Sequence, residues 1–271
     1  MRIIDSHVHV LDNYPPMAPF QDLGRPDRIL ALMDACEVEK TVMLPIVADF
    51  SPNNNEECAQ WVRDHPDRFA LLANVQLEQP DAVERVDEAK EKLGAVGTSY
   101  YPPTKDLQWL TEPACDSLWE VYKSHDLVCN LHVRPPNYSF VITLARKHPE
   151  IRFVMNHFGL AGAGDAPEED AKFLQLRDAA DLPNIFVKAS GFYHVAVTSW
   201  DFRCPGPIGH FSRLLELIGP KRILWGSDWP PSANHLTYRQ NLEIVRTIIT
   251  DLDDTTRPLV LGENAARVFK I

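Results

Sequence analysis

The chain of 271 residues has the length of a single α/β barrel, a fold that typically needs about 250 residues, and one domain over 1–271 is expected. Its composition, 45% hydrophobic and 24% charged, is that of a globular chain able to bury a large core. A net charge of −11 leaves no basic face to neutralise phosphates and argues against DNA or RNA as a partner.

The first element, a strand over 2–10, carries Asp5, His7 and His9 at alternate positions, with Ile4, Ser6 and Val8 between them. Residues two apart on a strand share a face. The pattern therefore predicts one carboxylate and two imidazoles side by side, able to meet one cation. A pair of satisfied core histidines is the competing reading of a His-x-His taken alone.

Seven more short apolar segments rich in β-branched residues follow, at 40–46, 69–76, 95–101, 127–133, 152–157, 184–190 and 222–229. Helix-like stretches separate them, at 26–36, 54–64, 81–93, 114–125, 139–148, 168–180, 208–218 and 238–249. Continuous apolar strands alternating with amphipathic helices signify a parallel sheet covered on its faces. Eight such units close most simply as a (β/α)8 barrel, although the pattern alone also allows an open doubly wound sheet. No Gly-x-Gly-x-x-Gly follows a strand, which removes the usual reason to prefer the open form.

The unusual segments are the loops after strands: 11–25, 158–167 with Gly159, Gly162 and Gly164, 191–207 with Tyr193, Trp200 and Arg203, and 230–237. In a barrel they share the C-terminal rim, where the chemistry of this fold is found. Ionisable groups also collect there. Strand five ends on His132 and Arg134, strand six on His157, and strand eight on Asp228.

Cys36, Cys58, Cys115, Cys129 and Cys204 are odd in number, widely spaced and never in Cys-x-x-Cys, so free thiols and a cytoplasmic setting are expected. No secretory segment precedes Asp5, and no apolar run approaches the ~18 residues of a membrane span. A membrane is not an expected partner, and a homo-oligomer is left open.

With Asp5-Ser6-His7-Val8-His9, His132, His157 and Gly226-Ser227-Asp228-Trp229-Pro230 in place, the chain resembles the amidohydrolase superfamily of metal-dependent barrels. The resemblance is closest to the branch holding aminocarboxymuconate semialdehyde decarboxylase and the sugar- and pyrone-dicarboxylate lactonases. The closing stretch from Gly262 to Phe269 is also similar to that branch. The resemblance implies that His7, His9, His132 and Asp228 surround one divalent metal, zinc or manganese, with His157 and Asp228 as the catalytic acid and base. Strand four ends in Thr98-Ser99-Tyr100-Tyr101 with no lysine, so a carbamylated-lysine binuclear centre is disfavoured and a single metal is expected.

A zinc-type ion makes water acidic near neutral pH, and attack on an acyl carbon follows. The expected reaction is opening of a small lactone of a sugar acid or a ring-cleavage dicarboxylate. The alternative is nonoxidative decarboxylation of an aromatic or muconate-type acid. Arg134, Tyr100, Lys188, Tyr193 and Arg203 are the candidates to hold a carboxylate or sugar hydroxyls, because guanidinium and phenol groups match those partners.

Overall fold

The computed structural model describes residues 1–103, 106–162, 171 and 173–271. Eight parallel strands stand in sequence order: β1 (Ile4–Val8), β2 (Lys40–Met43), β3 (Phe69–Asn74), β4 (Gly97–Tyr100), β5 (Val128–Leu131), β6 (Arg152–Met155), β7 (Ile185–Ala189) and β8 (Ile223–Trp225). Each lies inside a segment expected to form a strand. The ring closes between its ends through the amide of His9 on the Trp229 carbonyl at 2.7 Å and that of Asp228 on the His7 carbonyl at 2.9 Å. The architecture is a (β/α)8 barrel rather than an open sheet.

The intervening helices are α1 (Pro26–Cys36), α2 (Asn54–Asp64), α3 (Ala82–Glu91), α4 (Asp116–Ser124), α5 (Tyr138–Lys147), α6 (Pro205–Ile218), α7 (Tyr238–Glu243) and the terminal α8 (Asn264–Phe269). Proline opens α1, where its missing amide hydrogen costs nothing. A capping box of Thr237 and Gln240 opens α7. Between β6 and β7 the expected helix is instead a 3-10 segment, Phe173–Ala179. Residues 168–170 and 172 of the expected helix, together with Gly164 in the loop before it, lie outside the described residues.

Two apolar clusters sort the strand residues by side. Ile4, Val42, Leu72, Val128, Val154, Phe186 and Leu224 fill the lumen, and Val268 and Phe269 of α8 plug its lower end. The outward residues join the helices in a larger cluster. On a regular strand Ile4 and Val8 would share a side, but Ile4 lies in the lumen and Val8 in the outer layer. A register shift between Asp5 and Val8 accounts for the switch. The expected common face of Asp5, His7 and His9 is therefore divided.

Candidate metal centre

Asp5 is a support rather than a member of the cluster. Its Oδ1 accepts from the amides of Ser227 at 2.8 Å and His7 at 3.1 Å, tying the end of β1 to the turn after β8. Burial raises its carboxyl pKa to about 6.

Beyond the bulge, His7, His9 and Asp228 converge. The Nε2 atoms of His7 and His9 lie 3.3 Å apart, and Asp228 Oδ1 stands 3.4 Å from the first and 3.3 Å from the second. Ligands bound to zinc at about 2.0–2.1 Å in a tetrahedron are separated by roughly 3.3–3.4 Å. The triangle has the edge of that tetrahedron.

Its chemistry points the same way. His9 Nδ1 faces the Leu44 carbonyl at 2.7 Å, an acceptor that fixes the proton on Nδ1 and leaves the Nε2 lone pair facing Asp228. A bare imidazole nitrogen and a carboxylate oxygen at 3.3 Å repel unless a cation stands between them. The donor set therefore fits a divalent metal.

Asp228 uses its second oxygen differently. Tyr193 donates its hydroxyl to Oδ2 at 2.7 Å, and His194 Nε2 lies 3.7 Å from the same atom. Burial pushes the Asp228 carboxyl up, but His157, His194, His9 and His7 together outweigh it and hold the pKa well below the carboxylate range. His157 Nδ1 meets Ser190 Oγ at 3.0 Å, which turns Nε2 toward Asp228 Oδ1 at 4.0 Å. Burial keeps His7 and His157 neutral. Backbone strain gathers here as well, with positive φ at His157, Phe158, Leu160 and Asp228.

The other expected residues are placed unevenly. His132 rises from β5 beside the triangle, its ring 4.8 Å from Tyr101 and 5.5 Å from His157. It is not part of the His7, His9 and Asp228 group, whose ligand atoms all lie within 4.8 Å of one another. Arg134 is exposed near His132 and adds to the lowering of that imidazole. Lys188 does not reach the rim. It is sealed in the lumen, 5.9 Å from the centre of the Phe269 ring, and Nζ has no hydrogen-bond partner among the described residues. Burial holds its pKa well below the lysine range. Arg203 is paired with Asp201 and its side chain is 86% exposed.

Tyr100 points away from the cavity. Ser99 accepts from Asn130 of the neighbouring β5 on the lumen side, while Thr98 bonds Tyr122 of α4, so odd-numbered positions face in and Tyr100 faces the helices. Tyr101 takes the inward place. Tyr101 and His194 were missed by sequence reasoning. The inward parity of Ser99 is the signal that would have selected Tyr101, and the turn at Gly191 is the one that would have flagged His194.

Tyr14, Tyr101 and Tyr193 all have raised phenol pKa values, through burial first and the Asp228 charge second. The Tyr193 hydroxyl that bonds the carboxylate therefore stays neutral.

His132 also makes stability depend on pH. Burial first, then His194, lowers its pKa from 6.5 to about 4. The folded state disfavours the proton, so the stability this ring supplies is complete above pH 6.5 and is lost as pH falls to 4, by up to about 3 kcal/mol. Asp5 works in the opposite sense between its ordinary 3.8 and about 6. Comparing wild type with His132→Phe cancels Asp5. Urea unfolding is expected to show the difference between the two proteins shrinking from pH 7 to pH 4; a difference independent of pH would contradict this placement.

Comparison with known proteins adds a context. The family model described as Amidohydrolase matches residues 4–271. L-fucono-1,5-lactonase of Burkholderia ambifaria is 25% identical over 245 residues, covering 84% of this chain and 80% of that protein. A 4-sulfomuconolactone hydrolase of Hydrogenophaga intermedia is 24% identical over 261 residues, covering 94% of this chain and 80% of that protein. Among solved structures, an amidohydrolase from Burkholderia multivorans with bound zinc superposes with a TM-score of 0.80 at 22% identity, over 100% of both chains. Among the described residues, no helix is long and apolar enough to cross a membrane.

Proposed function

The chain belongs to the amidohydrolase family, and on that footing we propose that it is a metal-dependent hydrolase opening a small lactone, the cyclic ester of a sugar acid or of a ring-cleavage dicarboxylate. The observation that carries this reading is the triangle of His7, His9 and Asp228, with the second oxygen of Asp228 left to Tyr193. A zinc or manganese ion held by these three residues, with His132 beside them, supplies Lewis acidity toward water and the ester carbonyl.

The chain's own groups do the rest. Asp228, ionised and fixed by Tyr193, takes a proton from the attacking water and returns it to the ring oxygen as the acyl carbon–oxygen bond breaks. His157, neutral and oriented by Ser190, faces the same space and polarises the carbonyl. The product acid ionises and releases one proton per turnover.

Of the three cationic residues expected at the rim, only Arg134 stands beside the cluster, because Lys188 is sealed below and Arg203 is paired outside. One guanidinium suits a sugar lactone or a monocarboxylate better than a dianion. Tyr101 then contributes a hydroxyl contact. Tyr101→Phe is expected to raise KM about 3- to 10-fold, while Tyr100→Phe leaves it unchanged in the same steady-state assay. Equal effects of the two would contradict the inward parity of β4.

A pH-indicator screen tests the reaction. Proton release with sugar-acid lactones supports it. Carbon dioxide from aromatic or muconate-type acids, with every lactone inert, would replace it by decarboxylation on the same scaffold.

A further inference from the structure

We infer that His235 is a positioning residue for the candidate metal centre, holding Tyr193 at the angle from which its hydroxyl bonds Asp228. This role rests on the metal-dependent reading above and adds a residue outside the ligand set. Tyr193 stands in the loop after β7 and His235 in the loop after β8. Their rings are stacked, with centroids 4.3 Å apart and planes 13° from parallel. His235 Nδ1 lies 2.8 Å from Ser199 Oγ, further along the loop that carries Tyr193.

Each contact fixes a different freedom. The amide of His235 donates to the Ser232 carbonyl at 2.9 Å, which sets the base of the side chain. Ser199 then sets the ring, and because a serine hydroxyl can donate or accept, the bond serves either imidazole tautomer. A ring tethered at one nitrogen keeps one orientation, which apolar contact alone would not impose. That oriented ring is the surface against which Tyr193 lies.

Tyr193 needs that support. It sits in a one-turn 3-10 segment, Phe192–His194, rather than on a strand, and its hydroxyl is at the far tip of the side chain. A small rotation about χ1 would carry the oxygen off Asp228 Oδ2, now 2.7 Å away. The ring of His194 also lies 4.3 Å from that of Tyr193, tilted by 31°, but it belongs to the same turn and moves with it. His235 is anchored on another loop. The Tyr193 bond in turn leaves Asp228 Oδ1 facing His7 and His9. Outer partners that orient a ligating carboxylate typically contribute about 10–100-fold to metal affinity.

The test is the zinc dissociation constant, which needs no substrate. Metal-free protein is titrated with zinc against a chromophoric chelator. Tyr193→Phe and His235→Ala are each expected to weaken the site bound through His9 by about 10-fold or more. His235→Phe keeps a flat ring beside Tyr193 and is expected to recover most of that loss. In a Tyr193→Phe background His235→Ala is expected to add nothing, because no hydroxyl remains to be placed. A Kd that either single variant leaves at the wild-type value, or a His235→Ala loss that adds in full to that of Tyr193→Phe, overturns the positioning role. The metal reading then still stands if His9→Ala abolishes the site. A zinc affinity that His9→Ala does not change overturns both.

Discussion

Asp228→Asn is expected to lower lactone turnover by about 10²–10⁴-fold while the far-ultraviolet circular dichroism stays that of the native barrel. Asparagine keeps the shape of the side chain and is among the residues that best tolerate the positive φ of 57° at this position. It removes the charge that faces His7 and His9 from one oxygen and takes the reaction's proton on the other. The same change replaces an acceptor by a donor among imidazoles that burial holds neutral. A variant that turned over at the wild-type rate would remove Asp228 from the mechanism.

Stripping the protein with a chelator is expected to abolish turnover and to lower the unfolding midpoint, with zinc restoring both. A ligand that binds only the folded state stabilises it by about 2.7 kcal/mol at a hundredfold excess over its Kd, and the triangle of acceptors exists only in the fold. His9→Ala should erase the zinc-dependent part of the midpoint, and its metal-free midpoint should fall below wild type because the bond from Nδ1 to the Leu44 carbonyl is lost. Persistence of the whole zinc shift in His9→Ala would place the stabilising ion elsewhere. A lactonase activity indifferent to chelation would separate the reaction from the metal.

Much of this was legible in the chain because strand and helix periods differ, and eight repetitions of that contrast leave few ways to close. The rim was legible too, since His7, His9, His157 and Asp228 are ionisable groups at the ends of apolar segments, where burial demands a partner. What periodicity could not supply was phase. The bulge after Asp5 moves that carboxylate out of the cluster and onto backbone amides, and nothing in the alternation of Asp5, His7 and His9 announces the extra residue. Tyr100 and Tyr101 differ only in which way the strand turns them, a choice fixed by the pairing of Ser99 with Asn130 across strands. Lys188 is a rim candidate in the sequence because a strand residue can lie at any height. Its place above Phe269 is set by the barrel's depth, a property of the closed sheet rather than of β7. His194 depends on a backbone angle at Gly191 that brings a loop residue to a buried carboxylate.

The proposed function stands on one cation shared by β1 and the turn after β8. Anomalous diffraction at the zinc edge, from crystals of the zinc-loaded protein, tests it most directly. A peak is expected within bonding distance of His7 Nε2, His9 Nε2 and Asp228 Oδ1 together. A map with zinc elsewhere and none among those three atoms would contradict it.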